Sequence, residues 1–169
     1  MIRPFATRPR KGYPSRVVVQ RRKVSDLMNP DVVCVRPEAT VAEARELLAA
    51  RGVSGAPVVD DAGMPIGVVS QSDLVRHGTR RVTAGESGRF YSDMEEFQDL
   101  ADVPIDRSQT PVREVMTPHV YGVSRDTGVA QAASIMRERK IHRLLVTERG
   151  RLVGVISSLD LLAVLVENG

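Results

Sequence analysis

The chain has 169 residues, of which 42% are hydrophobic, 27% charged and 4% aromatic, with no tryptophan. Such a length suits one compact domain or two very small ones, and an apolar share of this size excludes wholesale disorder. The net charge of +3 is unevenly spread: residues 1–23 hold eight cations and no acid, so the remainder carries −5, which excludes a uniformly basic nucleic-acid-binding domain.

The first segment, 1–23, is a basic tail. Its arginines suggest an organelle transit peptide, but Pro4, Pro9 and Pro14 break the amphipathic helix that such a peptide needs. It lacks the apolar stretch of a secretory signal, and no apolar run in the chain approaches the roughly 20 residues of a membrane span. The single cysteine, Cys34, excludes an internal disulfide framework and fits a reducing compartment. The expectation is a cytoplasmic protein with no membrane association.

From residue 24 to about 80 the chain reads as strand, helix, strand, turn, strand, helix. Val32–Val35 is a short apolar run of strand type, closed by Pro37. Thr40 followed by Glu43 is a capping-box signature for a helix with Val41, Ala44, Leu47 and Leu48 on one face, and Gly52 ends it. Ala56–Val59 and Ile66–Val69 are strands joined by a turn over 60–65. A helix is expected from Ser70 to about His77.

Residues 81–111 form a linker that is long for a compact domain. Phe90, Met94, Phe97 and Leu100 are spaced for a short acidic amphipathic helix, either capping the core or meeting a partner or the basic tail.

Residues 112–169 then repeat the first unit. At an offset of 88, Met28 falls on Met116, Pro30 on Pro118, Val41 on Val129, Ala44 on Ala132 and Arg51 on Arg139. Past the turn the offset is 87, and Gly67, Ser70, Asp73 and Leu74 fall on Gly154, Ser157, Asp160 and Leu161. Order kept over about 50 residues marks an internal duplication. One such unit exposes a sheet face that it cannot cover alone. The two are therefore expected to pack through their sheets into a single α+β module with pseudo-twofold symmetry.

Catalytic signatures are lacking. His77, His119 and His142 show no metal-binding spacing, Cys34 sits in an apolar strand, and no phosphate loop or nucleophile elbow is present. What recurs is a polar element at each strand-to-helix junction, Ser70-Gln71-Ser72-Asp73 and Ser157-Ser158-Leu159-Asp160. Ser and Asp there satisfy the free N–H groups of a helix start. The same place is an anion site, and a carboxylate held there can accept two hydrogen bonds from a ribose diol. Capping and ligand binding are both open.

Taken together, these residues resemble a tandem pair of CBS domains (the cystathionine-β-synthase domain family, also called a Bateman module). The resemblance covers 24–80 and 112–168. It rests on Val24–Pro30 with Val112–Pro118, on Val53–Asp60 with Ile141–Val146, and on Gly67–Leu74 with Gly154–Leu161. It implies regulatory binding of adenosyl ligands in clefts between the repeats. One cleft would use Ser70 and Asp73 with Tyr121, Ile141 and His142, and Arg139 and Lys140 beside it could meet phosphates. The other would use Ser157 and Asp160 with Val33, Val53 and Ser54, with Arg51 nearby. The first, richer in cations, is the one expected to take a di- or triphosphate. Arg139 and Lys140 can equally be a solvated helix end. Tyr121, where repeat 1 has Val33, would stack on adenine or block the site. Arg143, where repeat 1 has Gly55, is read as a structural ion-pair former.

The leading reading is thus a non-catalytic module that requires no cofactor and takes an adenine nucleotide or S-adenosylmethionine as its ligand. It would act in energy sensing as a homodimer and signal to a client protein. The alternative is a nucleic-acid or acidic-partner binder acting through the tail.

Overall fold

The computed structural model describes residues 22–76 and 109–167. The tail up to residue 21, the amphipathic segment 90–100 and His77 lie outside the described residues. Repeat 1 supplies helix α1 (Val41–Arg51), strands β1 (Gly55–Val59) and β2 (Pro65–Ser70), and helix α2 (Gln71–Arg76). Repeat 2 supplies β3 (Gly122–Ser124), α3 (Val129–Arg139), β4 (Arg143–Glu148), β5 (Arg151–Ser157) and α4 (Ser158–Glu167).

Local chemistry explains the helix ends. The Thr40 hydroxyl accepts from the Glu43 amide, and the Glu43 carboxylate accepts from the Thr40 amide at 2.8 Å, which closes the expected capping box. Those bonds from Thr40 hold the Glu43 carboxyl below its ordinary range. A cap of this kind contributes about 1 kcal/mol. Its counterpart in α3 is Gly128, which offers no side-chain cap. The C-caps also correspond: Gly52 has φ 61° and Lys140 has φ 54°. Glycine enters this left-handed region freely, whereas Lys140 is strained there.

The sheets depart from expectation in one place. β1 and β2 are antiparallel, and β3–β4–β5 is a three-stranded sheet with β3 parallel to β4 and β4 antiparallel to β5. Val32–Val35, expected as a strand, makes only the single parallel bridge Val35–Val58. The cause lies in the neighbouring strand. In repeat 2 the Leu145 amide donates to the Tyr121 carbonyl at 3.0 Å. The residue matching Leu145 in repeat 1 is Pro57, which has no N–H to give Val33. The ladder therefore stops one bond short of a strand. Ser70 ends β2 and stands at the N-cap of α2, which begins at the next residue.

What joins the repeats is an exchange of their leading segments. The short 3-10 turn Val24–Asp26, at the head of repeat 1, is bonded to repeat 2, where the Val24 amide donates to Thr127 O and the Ser25 amide to Arg125 O. The turn Val112–Glu114, at the head of repeat 2, is bonded to repeat 1, with Val112 N donating to Ala39 O and Arg113 N to Pro37 O. Further on, Asn29 pairs with Val155 on β5, and Thr117 pairs with Val68 on β2. Each bond of one set maps onto a bond of the other by the offsets found in the sequence.

The two cores record the same exchange. Val24 and Val68 lie in the cluster of Val123, Ala132, Met136 and Leu144, and Val112 and Val115 lie in that of Val35, Leu48, Val58 and Leu74. The sheets do meet across the interface, through Val68, and each repeat's core also takes in the other's lead-in turn. The Lys23–Asp126 ion pair reinforces one of these contacts at 2.6 Å. It lowers the Asp126 carboxyl below, and raises the Lys23 ammonium above, their ordinary ranges. Both groups are solvent-exposed, so the pair adds little stability.

Candidate functional site: a cleft between the repeats

The duplicated Ser–Asp elements form identical boxes. At the end of β2, the Ser70 amide and hydroxyl both donate to Asp73 Oδ2, at 2.8 and 2.7 Å, and the Asp73 amide donates back to Ser70 Oγ at 3.3 Å. At the end of β5, Ser157 and Asp160 repeat these bonds at 2.7, 2.7 and 3.3 Å. Each box leaves its carboxylate half-buried and fixed in orientation at a sheet edge. The capping role proposed from sequence is therefore real, and it uses one oxygen of each carboxylate.

A cleft of about 290 Å³ opens between the repeats. Repeat 1 contributes Val33, Val53, Ser54 and Gly55, and repeat 2 contributes Arg143 and Val155; Asn29 and Asp31, on the exchanged segment, complete its polar lining. The wall at Val53–Ser54 is braced from behind by Gln71. Its amide donates to Ser54 O at 3.0 Å and its side-chain Nε2 to Val53 O at 3.3 Å. This leaves Gln71 Oε1 buried without a hydrogen-bond partner. The apolar surface can take a planar ring, and the polar residues can orient it.

Three of the residues expected in the second cleft, Val33, Val53 and Ser54, thus meet in one cavity. Arg51 is exposed at the last turn of α1 and is not part of the lining, although the adjacent Gly52 is. Ser157 and Asp160 also stand outside the lining, but Ser157 faces Arg143 across the β4–β5 ladder. Arg143, read from sequence as a structural residue, is a lining residue; the signal for it was its mismatch with Gly55.

The residues assigned to the first cleft are placed differently. None of Ser70, Asp73, Tyr121 or His142 lines this cavity. Ser70 is buried and Asp73 half-buried in their box. Tyr121 is half-buried against the second core, and its ring meets His119 edge-on at 4.4 Å. The His142 carbonyl accepts from the Ser158 amide at 2.8 Å, which ties it to the start of α4. Ile141 is 2% exposed and packs within the core of repeat 2. Arg139 is exposed at the last turn of α3, and Lys140 is its left-handed cap, the helix-end reading of these two cations.

Among the described residues, no group of three or more His, Cys, Asp or Glu is placed to hold a metal ion, and no helix is long and apolar enough to cross a membrane. The half-buried Cys34 thiol donates to Val32 O, and burial pushes its pKa up, which favours the unreactive thiol.

Comparison with known proteins agrees with this architecture. The CBS domain family pattern matches residues 24–79 and 112–167. The chain belongs to the CBS domain family, as a tandem pair. The chloroplastic CBS domain-containing protein CBSX2 of Arabidopsis thaliana is 30% identical over 141 residues, which cover 79% of this chain and 59% of that protein. YhcV of Bacillus subtilis, another CBS domain-containing protein, is 27% identical over 138 residues, 82% of this chain and 81% of its own. A Methanocaldococcus jannaschii relative is 26% identical over 148 residues, and there this chain spans 32% of the relative's length. Among solved structures, CBSX2 in complex with AMP superposes with a TM-score of 0.63 at 28% identity, covering 86% of this chain and 96% of that one. The cytosolic domain of the Mg²⁺ channel MgtE in complex with ATP gives 0.60 at 30% identity, covering 84% of this chain and 48% of that one.

Proposed function

We propose that this protein is a non-catalytic regulatory module that binds an adenosyl ligand between its repeats and signals to a client protein by changing conformation. The observation that carries the reading is the cleft itself: both repeats line it, and its lining combines the apolar Val33, Val53 and Val155 with the polar Asn29 and Ser54. The AMP and ATP complexes of two similar structures support the ligand class. The channel to which the second belongs supports the idea of a regulated client. No cofactor is required in this reading, and Cys34 as a free thiol goes with a reducing, cytoplasmic setting.

In this reading Asp73 and Asp160 hold ribose hydroxyls from their boxes, while the strand entrances at Val53–Ser54 and Ile141–His142 hold adenine. Because a ligand that binds only the folded state stabilises it by mass action, AMP, ADP, ATP or S-adenosylmethionine at 100 times its Kd adds about 2.7 kcal/mol. For a chain of this size that is a rise in Tm of roughly 5–10 °C. Asp160→Ala and Asp73→Ala are each expected to lower Tm slightly through the lost cap and to reduce the ligand-induced rise. Scanning calorimetry with and without ligand checks this, and unaltered ligand responses in both variants would refute the ribose assignment.

The module is also proposed to act as a homodimer. Support comes from α4, where Leu159 and Leu162 are 74% and 52% exposed. Such side chains favour burial against another surface. Sedimentation of the full chain is expected to give a dimer that Leu159→Glu/Leu162→Glu converts to a monomer. A monomeric wild type at micromolar concentration would sink the proposal.

A further inference from the structure

The duplication supplies an internal control for the cleft. The offsets of 88 and 87 carry its lining residues Asn29, Val33, Val53 and Val155 onto Thr117, Tyr121, Ile141 and Val68. These would line the symmetry-related cleft, and they are far less accessible. Asn29 is exposed and Val53 and Val155 are half-buried, whereas Thr117, Ile141 and Val68 are 3%, 2% and 0% exposed. The boxes follow the same pattern: Ser157 is half-buried and Ser70 is buried. One matched pair changes greatly in size, from Val33 to Tyr121. The Tyr121 side chain packs on the core cluster that includes Val68 and Ile141, and His119 meets its ring edge-on. The Tyr121 carbonyl accepts from the Leu145 amide at 3.0 Å, so the backbone is held and it is the side chain that can move.

Thr117 adds an independent sign. Its hydroxyl is buried with no hydrogen-bond partner, whereas the matching Asn29 lines the open cleft. A buried hydroxyl left unpaired is destabilising, and a polar ligand at that place would give it a partner. We infer that Tyr121 is an internal gate on the symmetry-related cleft: its ring fills the place that the planar ring of a ligand would take. The module then binds one adenosyl ligand readily, and a second only after Tyr121 has moved out. Of the two roles open to Tyr121, stacking on adenine or blocking the site, the burial pattern favours blocking. A residue that only stacked on a ligand would leave its cleft accessible in the free protein, as Val33 does. This inference rests on the adenosyl reading above and sets the order in which the clefts fill.

Titration calorimetry of the full chain with AMP and, in parallel, S-adenosylmethionine tests it. Wild type is expected to bind in two steps, the second at least about 30-fold weaker, as for a cleft open in about 3% of molecules. Tyr121→Val, which installs the repeat 1 residue, is expected to bring the second step within about fivefold of the first. Tyr121→Phe keeps the ring, so its second step should stay within about threefold of wild type. Val33→Tyr makes the reciprocal change and is expected to weaken the first step by at least about 30-fold, which decides the matter if Tyr121→Val folds poorly. Two equal steps in wild type would overturn the inference. So would a folded Tyr121→Val variant whose second step is unchanged, or is weaker still, the mark of a stacking role. Failure of the adenosyl reading looks different: neither wild type nor any variant would bind either ligand, and the inference would fall with it.

Discussion

A Val24→Asp variant is expected to lose its folded state, and to lose it first in the repeat that does not contain residue 24. Val24 is fully buried, yet its neighbours in the core are Val123, Ala132, Met136 and Leu144 of repeat 2. Its amide is committed to Thr127 O at 2.8 Å, so the segment cannot turn the side chain outward without giving up that bond. A carboxylate placed there must lose its charge or stay unpaired in an apolar core, and either costs about 4 kcal/mol or more. Total stabilities of about 5–15 kcal/mol leave little after that loss. Hydrogen exchange should show the amides of β3, β4 and β5 losing protection ahead of those of β1 and β2. A variant that melts within a degree or two of wild type, with unchanged exchange in repeat 2, would show that the exchanged turn is not part of that core.

Gly67→Ala and Gly154→Ala are the other substitutions with a large expected effect, and their sign runs against intuition. Alanine normally favours a strand over glycine by about 0.5–1 kcal/mol. Here a Cβ at Gly67 would stand 2.8 Å from both Met116 Sδ and the backbone oxygen of Thr117, and one at Gly154 would stand 2.7 Å from Met28 Sδ and 3.1 Å from Asn29 O. The methionine ends can move aside. The backbone oxygens cannot, because they belong to the Thr117–Val68 and Asn29–Val155 pairs that join the repeats. Each alanine is expected to cost about 1–3 kcal/mol as overpacking. Gly67→Ala should be the worse, since its backbone contact is the shorter. Thermal melts check the order, and alanine variants as stable as wild type would mean that the leading segments do not sit as close as described.

These substitutions bear on what the sequence could and could not reveal. Thr40, Glu43 and Gly52 announced α1 and both of its ends, because a cap is decided within a few residues. The duplication announced two equivalent units, and Val33, Val53 and Ser54 line one cavity. The missing strand at Val32–Val35 was not legible, since its cause is a proline 22 residues away in the adjoining strand. The exchange of leading segments was hidden for a different reason. An offset of 88 states which residues are equivalent, but not whether Val24 packs on its own repeat or on the other. That Arg143 lines the cleft was visible only as a mismatch with Gly55, which marks a difference between the repeats without saying where the residue stands.

The reciprocal exchange also bears on how such a chain comes to exist. A single unit with these residues has an open place in its core and carries the piece that fills that place in another unit, not in itself. Alone, it could complete its fold only by pairing with a second copy, each lending its first turn to the other. Joining two copies in one polypeptide turns that concentration-dependent encounter into an intramolecular one, which dilution cannot undo. Once joined, the copies were free to diverge wherever the exchange does not constrain them, as at Gly55 and Arg143. The shared turns and the glycines beneath them had to stay alike.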